Sequence, residues 1–309
     1  MASPPPSLNS LPNEVLRQVL ESFPTRQVLP LAGVCRYWRA SVARLHYQRL
    51  LDALALRDRE IILECYHPTA KISTPYLFCD YVDTPGLAAQ SPSNGGQDPS
   101  LAGLNALYSR FRPVQQEDND RRPRSRYPRR AVVEGVAQPM PLDMPSHDVH
   151  LDAGELFSQL VTVTNLVKVE PTRKLLVDIV NMTDGVIRVW RQWMASKAAR
   201  PASTPTPAHG QGQQQQQQQA ENGSSLMDDP AILWADSNQT CGLRMRVVER
   251  AEPLPPLFVP ADDDEPAVSY KLEFEELLIR TNQLLLNVEK SRKHQVVHAA
   301  GKAIVIASV

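Results

Sequence analysis

Long apolar runs are missing from this chain of 309 residues, and no stretch approaches the roughly 20 apolar residues that a membrane-spanning helix needs. An excess of charge is missing too. Its 33 Lys and Arg against 34 Asp and Glu leave a formal net charge of −1, which argues against a general binder of nucleic acid or membrane surfaces. The segment Met1-Ala2-Ser3-Pro4-Pro5-Pro6 lacks the charged and apolar regions of a signal peptide. Cysteine is sparse: Cys35, Cys65, Cys79 and Cys241 are scattered, without paired metal-ligand spacing, and read as free thiols in the cytosol or nucleus. There is no phosphate-cradling glycine loop, no Gly-x-Ser-x-Gly elbow and no acid–base pairing, so the expectation is a non-catalytic protein with no cofactor and no metal.

What is present begins near the amino terminus. Val15, Leu16, Val19, Leu20 and Phe23 recur at helical spacing and form one wide stripe. Pro12 precedes them, Asn13 suits an N-cap, and Pro24 stops the helix. A short second segment from Arg26 to Val34 carries Val28, Leu29, Leu31 and Val34. A third helix is expected from about Cys35 to Leu56, with Trp38, Val42, Leu45, Leu50 and Leu54 as its apolar positions. Three helices in so few residues bury little among themselves, so a partner is expected to cover part of the stripe.

The runs Leu-Pro-x-Glu-Val-Leu, Val-Leu-Glu-x-Phe and Val-Cys-Arg-x-Trp-Arg, within about residues 8–55, resemble the F-box motif. The resemblance implies docking on a Skp-type adaptor and, through it, on the cullin and RING subunits of an SCF ubiquitin ligase. The docking residues it implies are Leu11, Pro12, Val15, Leu16, Val19, Leu20, Leu29, Leu31, Val34, Cys35 and Trp38. Pro30, Gly33 and Gln27 depart from the family pattern; a helix interior loses roughly 1 kcal/mol at Gly and 3 at Pro. Pro30 is cheap if it occupies a first turn.

Beyond this motif the chain turns β-rich. Residues 60–66 and 76–82 have the aromatic and β-branched content of short strands, split by His67-Pro68 and Thr74-Pro75. In residues 268–275, Val268, Tyr270, Leu272 and Phe274 alternate with Ser269, Lys271, Glu273 and Glu275, which is the period of a half-buried strand. Further strands are expected over 161–169, 174–179, 186–190, 242–247, 284–288 and 302–306, with a turn at Asp184-Gly185. The fold class read from this is α+β: a three-helix domain over 8–57 followed by an antiparallel β-sandwich-like domain over 131–309. Residues 1–7 are expected to be disordered, 58–83 to be a connecting segment packed on the β domain, and 84–130 to be largely linker. A Gln-rich insertion spans 198–225. Glu155 to Leu160, Asp184 to Trp190 and Glu273 to Leu277 are similar to the β-rich region that accompanies the F-box in a group of filamentous-fungal proteins.

Local features offer little chemistry. The arginine-rich residues 121–130 suit an import signal or an RNA contact, but a solvated basic loop is the plainer reading. His147, Asp148, His150 and Asp152 suit a strand start better than a metal site, and His294 and His298 suit a solvent-facing segment. Asp262-Asp263-Asp264-Glu265 does not follow calcium-loop spacing. Trp190, Trp193 and Trp234 are anchors if exposed and core if not. The function expected is substrate recognition for an SCF-type ligase, with a protein substrate held by the β half. A scaffold role without ubiquitination and a ligand- or carbohydrate-binding β domain are the alternatives.

Overall fold

The computed structural model describes residues 12–71, 74–92, 98–115, 144–170, 175–199, 229–250 and 265–300. Three helices come first. Helix α1, Asn13–Glu21, begins directly after Pro12, so Asn13 is its first helical residue and caps nothing with its side chain. Helix α2, Thr25–Val28, runs into a 3₁₀ turn, Leu29–Gly33. Pro30 stands where the α-helical ladder, whose last bond is Leu29 N–H to the Thr25 carbonyl, gives way to that 3₁₀ segment. Helix α3, Arg36–Leu54, is 19 residues long and carries two cores. Its Val42 and Leu45 pack with Leu16, Leu20, Val28 and Ala32, while Leu50, Ala53 and Leu54 join the main core of the molecule.

The strands are β1 (Arg59–Tyr66), β2 (Leu77–Asp83), β3 (Tyr108–Val114), β4 (Ser146–Leu151), β5 (Phe157–Glu170), β6 (Leu175–Trp190), β7 (Ile232–Trp234), β8 (Cys241–Glu249) and β9 (Val268–Arg280). Helices α4 (Leu101–Asn105), α5 (Arg191–Ala198) and α6 (Thr281–Ala300) intervene or follow. All nine strands form one antiparallel sheet in the order β6-β5-β1-β2-β3-β9-β8-β7. β4 pairs with β9 beside β3 on the edge opposite β8. The class is α+β, with helices at the amino-terminal end and an antiparallel sheet behind them.

Several expectations are corrected. Residues 58–83 are no connecting segment: β1 lies between β5 and β2, in the interior of the sheet. The stretch over 84–130 read as largely linker contributes α4 and the whole of β3. β6 passes through Asp184 and Gly185 without turning. Gly185 is there for proximity instead, because a Cβ on it would lie 2.0 Å from the Ala235 carbonyl oxygen. That approach, and the 3.0 Å hydrogen bond from Thr183 Oγ1 to Cys241 Sγ, show that the sheet rolls until β6 faces the β7–β8 end. Residues 284–288 are helical: Thr281, Leu284, Leu285, Val288 and Ser291 are all buried along one face of α6. The expected strand over 302–306, the Gln-rich run and the arginine-rich run lie outside the described residues.

Helix α6 ties the two ends of the molecule together. Leu284, Leu285 and Val288 fill the main core beside α3. A buried hydroxyl chain, Thr84 to Ser109 at 3.0 Å and Ser109 to Thr281 at 2.9 Å, fixes where α6 begins. Further along, Ser291 Oγ donates to Asp178 of β6 at 2.5 Å and accepts from the buried Arg59 of β1 at 3.0 Å.

Candidate docking face and the junction behind it

Helix α1 is apolar on two sides, and the sides do different work. Leu16 and Leu20, four apart, are buried and hold the helix on α3. Val15 and Val19, also four apart, are 41% and 45% exposed, and Phe23 beyond them is 45% exposed. Val34, after the 3₁₀ turn, is 65% exposed, and Cys35 and Pro12 are exposed as well. Leu29, Leu31 and Trp38 are half-buried against the same small core. Of the expected docking set, the surface group is therefore Pro12, Val15, Val19, Val34 and Cys35, flanked by Leu29, Leu31 and Trp38. Leu16 and Leu20 are packing residues whose side chains present no contact area, and Leu11 lies outside the described residues. Phe23 belongs to the stripe but not to the family-implied set, and the structure places it on the surface.

Behind this face lies a junction that local sequence gives no sign of. The backbone N–H of Thr25 donates to both carboxylate oxygens of Glu289, and the Thr25 hydroxyl donates to Oε1 at 2.6 Å. Pro24 precedes α2 and has no side chain to cap it, so an acid from α6 supplies the cap and complements the helix dipole. Arg49 of α3 completes the knot. Its guanidinium donates to the Thr25 hydroxyl at 2.9 Å and to the carbonyls of Leu20, Glu21 and Phe23, the last at 2.7 Å. Glu289 stands 3.6 Å from Arg49, with both side chains mostly shielded.

His46 sits between α3 and α6, buried, with neither ring nitrogen hydrogen-bonded within the described residues. Burial pushes its pKa below the ordinary histidine value; neighbouring Asn282 and the charge of Glu289 pull upward, and the charge of Arg49 pushes further down.

Most of the remaining candidates have structural partners. His147 and His150 lie on β4, and His150 bonds Ser269 at 2.9 Å and Asp152 at 3.0 Å. His294 stands 3.5 Å from Asp178; the side chain of His298 lies outside the described residues. Glu265 pairs with Arg191, and the rest of its acidic run lies outside the described residues. Trp193 Nε1 donates to the Pro230 carbonyl, Trp234 leans on Tyr108, and Trp190 leans on Phe157 while staying 47% exposed. Burial raises the thiol pKa of Cys65 and of Cys241 to about 12 and that of Cys79 further, so none of these is a nucleophile at neutral pH. Among the described residues no three His, Cys, Asp or Glu side chains converge on a metal-sized site, and no helix is long and apolar enough to cross a membrane.

Comparison with known proteins bears on the helical end alone. Residues 8–51 match the family model for F-box-like domains. No curated protein and no solved structure matches the chain. The matched residues take in the surface group and nearly all of α3, including Arg49 of the junction. The chain carries an F-box-like domain, of the kind that generally binds Skp-type adaptors, joined through Glu289 to an antiparallel β domain.

Proposed function

We propose that this protein is the substrate-recognition subunit of an SCF-type ubiquitin ligase. One observation carries the reading: within the F-box-like domain, Val15, Val19 and Val34 stay exposed although Leu16 and Leu20 beside them are buried. Apolar side chains left out of a domain's own core, on a module of a family that binds adaptors, suit a protein interface. The Skp-type adaptor is the partner, and it brings the cullin and RING subunits. The β domain holds a protein substrate. The mechanism is positional: two sites on one rigid body raise the effective concentration of substrate lysines at the ubiquitin-charged enzyme, and the chain does no covalent chemistry. The knot of Thr25, Arg49 and Glu289 supports this, because fixed geometry between the two ends preserves the gain. The thiols suit the cytosol or nucleus, where we place the complex.

The test is proximity labelling under proteasome inhibition, comparing the wild type with a variant whose docking face carries Val19→Glu and Val34→Glu. With the inhibitor absent, candidate substrates labelled by both are expected to accumulate when the cullin is depleted or the docking face is blocked, and to turn over otherwise. Turnover of every such protein that is indifferent to both perturbations would overturn the ligase reading.

A further inference from the structure

Strand β6 is 16 residues long and ends the sheet, bonded to β5 alone among the described residues. A long edge of unpaired N–H and C=O groups is a template for another strand. Buried Ile187 and Val189 point into the core, and Gly185 shares their side of the strand, so Ala235 lies over the inner face, and among the described residues no second strand pairs with the outer edge. On the outer side stand Asp184, Val186 and Arg188, all exposed, with Val186 at 52%. Asp184 has no ion-pair partner among the described residues. Arg188 lies over the face of Phe157, 5.6 Å from the ring centroid, and has no ion-pair partner among the described residues.

These three residues are self-complementary. The acid lies two positions before Val186 and the base two positions after it. In an antiparallel pair centred on Val186, residue 184 of one strand stands opposite residue 188 of the other, on the same face. We propose that residues 184–188 of β6 pair with the same residues of a second copy, joining two sheets across a two-fold axis at Val186. Each axis then carries two Asp184–Arg188 pairs flanking a Val186–Val186 contact, as a closed isologous interface requires. Parallel pairing in register would set like charges side by side, so the charges also select the antiparallel orientation.

The edge is held ready for this. The buried Arg191, next after Trp190, donates to the carbonyls of Glu155, Asp152 and Pro266 at 2.7, 2.7 and 2.8 Å. It pins the end of β6 to the β4–β5 connection and to the start of β9, so little ordering is left to be lost on pairing. The consequence for the proposed function is a receptor with two docking faces and two recognition ends.

Sedimentation velocity of the full-length chain over a concentration series tests this. A monomer–dimer transition is expected for the wild type. Arg188→Asp and Asp184→Arg each place like charges opposite one another and are expected to weaken association roughly tenfold or more. Combining them restores the pairs in swapped order and is expected to restore association. Val186→Lys, which sets two ammonium groups across the axis, checks the same point with a different residue. All three positions changed here are exposed, and circular dichroism confirms the fold of each variant. A wild type that is monomeric at every concentration overturns the proposal, as does a dimer indifferent to the single changes or one that the double swap fails to rescue. Adaptor binding by the same variants is expected to be unchanged, so failure of the dimer and failure of the ligase reading remain distinguishable.

Discussion

Glu289, on the last helix, accepts the backbone N–H of Thr25 at 3.2 and 3.1 Å through its two carboxylate oxygens, although the residues stand 264 positions apart. A short helix of the docking domain is thus capped by a side chain from the far end of the chain. The small core around Leu16 and Leu20 need not stand alone, because α3 and α6 continue it into the main core.

Replacing that carboxylate therefore does more than remove one hydrogen bond. Glu289→Ala uncaps α2 and leaves Arg49, mostly shielded, without its counter-charge. A loss of about 2–3 kcal/mol in unfolding free energy is expected. Hydrogen exchange is expected to accelerate at residues 25–28 before it does so in β1 or β5. Unchanged protection there would mean that the junction does not order α2.

Acid sensitivity follows from His46. Its pKa in the folded protein lies below the ordinary value of 6.5, chiefly through burial. As pH falls through that value the unfolded chain takes up the proton first, so stability present above it is progressively lost on the way to the lower folded value. His147 is shifted the same way, by burial first and then by the charge of His67. Urea titrations between pH 7.5 and about 5 are expected to show stability falling with pH in the wild type. In His46→Leu the slope should be shallower without vanishing. Identical slopes would remove His46 from the account.

Gly185→Ala is a substitution whose sign separates two readings of β6. At a strand position with room, alanine stabilises by about 0.4–1 kcal/mol through the unfolded chain. Here the added carbon meets the Ala235 carbonyl oxygen at 2.0 Å, so a loss of about 1–3 kcal/mol is expected from denaturant unfolding. A gain would show that the rolled sheet does not close as tightly as Gly185 requires.

Packing and docking separate on neighbouring residues of α1. Leu16→Ala empties a buried site and is expected to cost about 2–5 kcal/mol, weakening adaptor binding only through lost fold. Exposed Val19 is expected to accept a polar replacement within about 0.5 kcal/mol. Thermal unfolding of the two variants decides between these roles.

The helical domain was legible because its signals are local. Apolar spacing marks α1, Pro24 marks its end, and the position of Pro30 agrees with the short 3₁₀ segment. The alternation from Val268 to Phe274 likewise marks β9. Other elements depend on distant contacts. β3 reads Tyr-Ser-Arg-Phe-Arg-Pro-Val, yet Ser109 is buried because Thr84 and Thr281 bond it, and Pro113 lies beyond the last pairing with β9 at Phe111 and Leu277. Asp184-Gly185 has turn chemistry, but a carbonyl on β7's far side, not a turn, is what excludes a side chain there. In α6 the run Leu284-Leu285-Leu286 looks like a buried strand when taken alone. The polar Thr281 and Ser291 on the same buried face complete the helical period, and only their partners on β3, β1 and β6 explain why they face inward. The outward group of the docking face was readable as a stripe, but not the division between Val15 and Val19, which face out, and Leu16 and Leu20, which face in.

The central claim is that the exposed side of the F-box-like domain docks a Skp-type adaptor. Calorimetric titration of purified adaptor into the full-length chain tests it most directly, comparing the wild type with Val19→Glu/Val34→Glu. Saturable binding by the wild type is expected, with a loss of roughly thirtyfold or more in the variant while its unfolding midpoint is unchanged. A folded variant that binds the adaptor as tightly as the wild type, or a wild type that does not bind it, would contradict docking through this face.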